Sequence, residues 1–461
     1  MNKTERDPSY YLETAPVPTA IAHMAVPMIL SMVLDLIYNI VDAFFIGRLG
    51  DTAMLAAVTL AFPFFIVLMA VGQIFAVGGG TLIPRLLGAK DIEGAKRASS
   101  VTFYLALLSG FALMLGLIPF LSPILGLMGA SGETLVYSRN FVLVLLAGSP
   151  FVILMMTLSG TIRGEGASTV AMTGMIASVL INLALDPVLI FALKMNVAGA
   201  ALGTVIANAS SVAYFVRYLR TGSRVQSVRI ADFRPNAQII GDILKVGMSA
   251  FLFSALMIVA SMLFNGYAMR YGDSVVAAFG VANRLTQICE FLGNGLFEGS
   301  IPLIAFAYAA GNQKRLNEVL RATTIAFICI TIAIGLPMYL FRHQVFSLFS
   351  PDPAVLKAGF AILQAMLVAV LFTGFSGILT GMFQAFGAGV QSNAMATVRG
   401  VALIPLIYLG NMLLGLGGVI WSLPAAEILS CLVGFALWRA SRKGVQSLSI
   451  EARRQLVPRE A

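Results

Sequence analysis

Asp35, Asp42, Asp186, Glu290, Glu298 and Glu427 all stand inside long apolar stretches. A charge at mid-bilayer depth costs about 2.5–3.5 kcal/mol or more, so such carboxylates must face protein or water. Asp35 and Asp42 lie in SMVLDLIYNIVDAFFIG, seven residues apart. At about 100° per residue they return to one helix face, and Asn39 shares that stripe. INLALDPVLIF sets Asn182 and Asp186 one turn apart and follows them with Pro187. Proline lacks an N–H, so a carbonyl oxygen near Asp186 is freed. Two carboxylates with amide, hydroxyl and carbonyl oxygens nearby could hold a proton or a hard monovalent cation. The alternative is that Asp42 and Asp186 only hydrogen-bond between helices, and for Asp35 the structural and functional readings both stand.

Glu290 and Glu298 occur in RLTQICEFLGNGLFEGSIPLI. Two readings of Glu290 are open. It forms a structural ion pair with Arg284 or Arg399, or it stands unpaired in a cavity, where it attracts cations and competes for protons. Glu298 and Glu427 read as structural. Signatures of catalysis are missing: His23 and His343 are the two histidines, and no His/Cys/acid cluster has metal-ligand spacing. No GxxxxGK[ST] loop occurs, so ATP does not drive this chain directly, and no cofactor is expected. The run Gly78–Gly79–Gly80 reads as close helix packing.

The elements that must position these groups are membrane helices. The chain has 461 residues, of which 59% are hydrophobic and 11% charged, and its mean hydropathy is +0.90. A soluble domain carries roughly a quarter charged residues. Continuous apolar runs above about 18 residues fit spanning helices rather than the alternating strands of a barrel. The net charge of +9 does not call for nucleic acid, because Lys and Arg gather in alternate loops. Cys289, Cys329 and Cys431 lie in apolar stretches without paired spacing and read as buried and reduced. The polar opening residues show no cleaved signal peptide, so the first span itself directs insertion.

The expected fold is an all-α polytopic membrane protein with about twelve spans in two pseudo-symmetric six-helix lobes. Residues 1–17 form an N-terminal segment, 18–220 the first lobe, 221–238 a linker, 239–440 the second lobe and 441–461 a tail. The linker holds Arg224, Arg229 and Arg234, and Arg217 and Arg220 precede it; the loops at Arg85–Arg97 and Lys314–Arg321 agree. These basic loops mark the cytoplasmic side, with both termini inside and an inner (plasma) membrane location expected. LGDTAMLAA resembles YGDSVVAAF at an offset of 222, GAKDIEGAKRA resembles GNQKRLNEVLRA at 223, and RGEGAS resembles QAFGAG. Duplicated halves of the same topology put a substrate site at their interface, which points to transport.

YNIVDAFFIGRLGD (38–51), LDPVLIFALKMNVAGAALGTVIA (185–207) and GVANRL…IPLIAFAYAAGNQKR (280–315) together resemble the multidrug and toxic compound extrusion (MATE) family over nearly the whole chain. The opening Tyr38-Asn39-x-x-Asp42 is similar to that of bacterial drug exporters. The resemblance implies a V-shaped twelve-helix antiporter that exports amphipathic, often cationic, organic compounds in exchange for H⁺ or Na⁺. It also implies a cation site in the first lobe, at Asp42, Asn182, Asp186 and Thr204, and helix bending at Pro27. Asp35, Tyr38, Asn39 and Glu290 are further cavity candidates. Asp35, Glu298 and the proline-free KVGMSAF segment depart from the family pattern. The expected partners are small organic molecules and membrane lipid, with the protein a monomer. Two rival readings are a lipid-linked precursor flippase, against which the acid-rich, arginine-poor core argues, and a non-transporting membrane sensor.

Overall fold

A computed structural model describes residues 8–48, 51–347, 349 and 352–456, with the side chains at 8, 35, 36, 38–40, 42–44, 46 and 441–456 outside the description. Every regular element among the described residues is helical: α1 (Pro8–Glu13), α2 (Val17–Gly47), α3 (Thr52–Gly88), α4 (Ile92–Leu117), α5 (Leu121–Leu127), α6 (Gly132–Ala147), α7 (Ser149–Gly164), α8 (Ser168–Asp186), α9 (Asn196–Thr221), α10 (Ala237–Met269), α11 (Asp273–Ala309), α12 (Gln313–Leu340), α13 (Arg342–Ser347), α14 (Pro353–Ala385), α15 (Gly389–Leu414) and α16 (Leu416–Leu456). Eleven helices are long and apolar enough to span a bilayer, and the pair α6 and α7 makes up to twelve. That pair bends by 51°, because Gly148 ends one helix and Pro150 opens the next.

The duplication has a firmer register than sequence similarity gave it. The starts of α3 and α11, of α4 and α12, and of α8 and α15 are each 221 residues apart. Asp91 caps α4 by accepting from the Gly94 amide at 2.8 Å, and Asn312 caps α12 by accepting from the Arg315 amide at 3.0 Å. Just before these caps, Lys90 and Gly311 both have positive φ, 65° and 68°. Gly166 and Gly387 form the same kind of pair, at φ 97° and 74°. Asp51 therefore matches Gly272, not Asp273, and Lys90 rather than Gly88 matches Gly311. The one- or two-residue slips arose because short similar strings align by residue type, whereas helix starts and left-handed turns fix the register.

Contacts divide the chain into two units. One holds Leu30–Gly247, and the other holds Tyr10–Ile29 and the chain from Met248 on. Within the first unit the three consecutive glycines are the surface on which other helices close. A Cβ on Gly78 would stand 2.2 Å from the Ile243 carbonyl oxygen, and one on Gly80 would stand 2.8 Å from the Gly160 oxygen. Gly79 faces Thr102 and Thr161. The glycines thus serve helix packing as expected. The second unit repeats this contact at Gly299, the counterpart of Gly78, where a Cβ would lie 2.6 Å from the Ala25 Cα.

Each unit also clasps a polar strap. In the first, Ser100 and Tyr104 of α4 donate to the carbonyls of Arg229 and Val228, and the Gln226 amide donates to Thr161. Buried Glu165 accepts from Ser223 at 2.7 Å and from Tyr218. The linker is therefore stitched down, while Arg217, Arg220, Arg224, Arg229 and Arg234 stay exposed. In the second unit the guanidinium of Arg315 on α12 donates to the carbonyls of Tyr11, Leu12 and Ala15 at 2.9, 3.0 and 2.7 Å. Tyr11 and Leu12 stand in the last turn of α1, where a cation complements the helix dipole, and Ala15 follows just beyond it.

One cysteine expectation needs correction. Cys289 is buried and Cys431 half-buried, but Cys329 is exposed. It shares a helix face with exposed Ile325, Ile332 and Leu336. In a spanning helix an apolar setting marks contact with lipid as much as an interior.

Candidate ion and substrate sites

The first site lies in the first unit, where α8 runs against α9. Asp186 ends α8 fully buried, and Asn182, one turn earlier, is 3% exposed. The Asn182 Nδ2 donates to Asp186 Oδ1 at 3.1 Å, while Asn182 Oδ1 has no hydrogen-bond partner among the described residues. Beyond Asp186 the chain winds as a π-helix over Pro187–Ala192, with the Leu193 amide donating to Val188 five residues back at 2.8 Å. Proline cannot donate to the preceding turn, and the wider π-turn absorbs that missing bond.

Gly203 of α9 makes the room for this pair. A Cβ there would stand 2.6 Å from Asp186 Oδ1 and 3.0 Å from Asn182 Nδ2. Thr204 follows it, half-buried, and donates its hydroxyl to the Ala200 carbonyl at 3.1 Å. Its oxygen therefore faces the outside of that bond only as an acceptor. Asn182, Asp186 and the Gly203–Thr204 turn are thus brought together by two neighbouring helices. Sequence reasoning missed Gly203, although a glycine next to Thr204 on a helix facing the acids was the available signal.

The side chains of Asp35, Tyr38, Asn39 and Asp42 lie outside the described residues, although the backbone of α2 passes through all four positions. The Phe45 ring, three residues after Asp42, meets the Phe191 ring of the π-helix edge to face at 6.3 Å. Pro27 lies inside the unbroken α2, two residues before the point where α2 leaves one unit for the other.

A second group of charges lies in the second unit. Arg399 of α15 donates to Glu427 Oε1 of α16 from Nε at 3.3 Å and from Nη2 at 3.1 Å. Glu427 Oε2 accepts from the Ser376 hydroxyl at 2.7 Å, and the guanidinium stacks 4.4 Å above the Phe253 ring. Of the two readings of Glu290, the ion pair with Arg399 is thus not the one formed, because Glu427 takes that guanidinium. Among the described residues no hydrogen bond or ion pair reaches Glu290; the pair that does form is Arg399–Glu427. The Arg399–Glu427 pair was readable as one lone base and one lone acid on consecutive apolar spans. No group of three or more His, Cys, Asp or Glu with metal-site geometry occurs among the described residues.

Comparison with known proteins agrees with this architecture. A family model described as MatE matches residues 27–188 and 250–409. The multidrug export protein MepA of Staphylococcus aureus (strain MRSA252) is 38% identical over 428 residues, covering 93% of this chain and 95% of that protein. The protein of the same name from Staphylococcus saprophyticus is 37% identical over the same coverage. A crystal structure of MATE in the bent conformation superposes with a TM-score of 0.88 at 26% identity, covering 98% of this chain and 100% of that one.

Proposed function

This chain belongs to the MATE family, and from that premise we propose that it exports amphipathic, often cationic, organic molecules in exchange for inward H⁺ or Na⁺. The observation that carries the exchange is the fully buried Asp186 beside Asn182. An amide dipole does not cancel a carboxylate's charge, and a buried ion left uncompensated is costly. A proton or a hard monovalent cation supplies the missing charge. Asn182 Oδ1, Asp186 and Thr204 offer oxygens suited to Na⁺, which takes hard oxygen ligands, and Asp42 would complete the set from α2. The Phe45–Phe191 contact supports this, since Asp42 lies one turn before Phe45.

The cycle follows from linkage. Ion binding at Asp42 and Asp186 neutralises the site and changes the geometry of α2, for which Pro27 provides a bend. The drug then leaves outward, because ion and drug favour different conformations. Glu290 receives the cationic part of the drug. The basic straps set both termini on the cytoplasmic side of the plasma membrane, and the duplicated halves make one chain sufficient as a monomer.

Drug uptake into proteoliposomes under a pH gradient alone and a sodium gradient alone tests the exchange. One of the two gradients is expected to drive accumulation. Equal uptake with neither gradient imposed would contradict the proposal.

A further inference from the structure

We propose that the 221–238 linker and the end of α9 form a docking surface for the anionic headgroups of membrane phospholipid. Five arginines carry it. Arg217, Arg220, Arg224, Arg229 and Arg234 are all exposed, and among the described residues none of their guanidinium groups has a hydrogen bond or an ion pair. The neighbouring acids are turned inward. Both oxygens of buried Glu165 accept from hydroxyls, those of Tyr218 and Ser223, and an Asp232 oxygen accepts from Ser227. A hydroxyl fills a carboxylate lone pair in place of a guanidinium, so the five cations stay unpaired at the surface. Gln226, Ser227 and Val228 are buried, which holds these arginines on a fixed backbone rather than on a loose tether.

Two observations put this surface at the depth of the headgroups. Ser99, Ser100 and Tyr104 of α4 donate to the linker at the Ser227, Arg229 and Val228 carbonyls, and the apolar run of α4 begins among them, at Val101. The span Ile92–Leu127 has 36 residues, about 54 Å at about 1.5 Å each, against a hydrocarbon core of about 30 Å. Its first turns therefore stand outside the hydrocarbon, and the linker lies where their polarity ends. The second observation is the turn Ile230–Asp232. Ile230 is 73% exposed between Arg229 and Arg234, while Phe233 packs on Tyr104 with ring centroids 5.0 Å apart. An exposed apolar side chain among cations, on an aromatic footing, is the pattern of an interfacial segment. Clusters of about four to eight basic residues beside a spanning helix attract anionic lipid. Free phosphate would gain nothing from Ile230, whereas a phospholipid offers it the acyl boundary.

The test uses the delipidated full-length protein in detergent, with phosphatidylglycerol and phosphatidylcholine as probes and binding read by native mass spectrometry. Wild-type protein is expected to hold phosphatidylglycerol about tenfold or more tighter than phosphatidylcholine. Arg229→Gln/Arg234→Gln is expected to weaken phosphatidylglycerol about tenfold and to leave phosphatidylcholine within about twofold. Arg229 is stitched to α4 by its carbonyl, so the linker keeps its place in this variant. Lys314→Gln/Arg321→Gln removes the same charge from exposed positions of α12 and is expected to keep the wild-type preference. No preference in wild-type protein, or an unchanged preference in Arg229→Gln/Arg234→Gln, overturns the proposal. An equal loss in the α12 variant also overturns it, since net charge alone would then explain the binding. Displacement of the lipid by an equal concentration of inorganic phosphate overturns it as well.

Discussion

Asp186→Asn is expected to abolish ion-driven drug export while the protein still folds and inserts. Asparagine has the shape of aspartate, and its oxygen can keep the 3.1 Å bond from Asn182 Nδ2. What it cannot do is change charge, so neither a proton nor a sodium ion is gained or lost there. Coupling free energies typically amount to about 1–3 kcal/mol, a factor of about 5–150. Efflux in everted vesicles should fall about a hundredfold by that scale. Asp42→Asn should have the same effect, and the two together should be no worse than either alone, because both belong to one site. Retained efflux in both single variants would remove the first unit from the coupling mechanism.

Gly203→Ala should come close to this loss without touching a charge. The added methyl carbon would sit 2.6 Å from Asp186 Oδ1 and 3.0 Å from Asn182 Nδ2, well inside van der Waals contact. Either the acid moves or α9 does, and both change the oxygen set offered to the ion. A loss in coupled export of about tenfold or more is expected, since small misplacements at a preorganised site carry penalties of that order. The variant should insert normally and show a modestly lower melting temperature. Alanine at the neighbouring Gly199 would instead meet the backbone of Leu189 at 2.8 Å, so its effect should fall mainly on stability. The contrast between the two variants separates crowding of the ion site from crowding of the helix contact.

Much of the architecture was legible in the residues themselves. Low charge and unbroken apolar runs specify spanning helices, because nothing else satisfies backbone groups in lipid. Asn182 and Asp186 declared themselves by being polar and one turn apart in such a run, and they are buried together. Other features depend on pairing across the fold, which local pattern does not carry. The break in the fourth span needed Gly148 and Pro150 to act in concert. The π-helix after Asp186 shares its sequence composition with an ordinary helix, and only the hydrogen-bond ladder distinguishes it. Arg399 could have chosen either of two acids, and the choice of Glu427 is set by which helices adjoin. The linker read as a tether because it is polar, yet Ser99 and Ser100 of α4 donate to its Gln226 side chain and Arg229 carbonyl, and Gln226 donates to the Thr161 carbonyl of α7.

The straps add a consequence for how α2 and α10 behave. Residues Tyr10–Ile29 belong to the unit that α11 and α12 build, whereas the rest of α2 belongs to the other. The first helix of each half is thus shared, with Pro27 close to the division in α2 and Gly247 at the division in α10. Proline weakens the ladder where α2 changes unit. Gly247 instead permits contact with the Ile74 carbonyl, which a Cβ would meet at 2.0 Å. A glycine contact therefore stands near the place where the seventh span lacks the family's proline.

Exchange itself is tested most directly by running it backwards. Proteoliposomes carry a drug gradient and no ion gradient, and an interior dye reports pH or sodium. Reciprocity of coupling requires that drug flowing one way move the coupling ion the other way. Wild-type protein should show that countermovement, and Asp186→Asn protein should show none. Drug crossing at the wild-type rate with no movement of either ion would contradict the account.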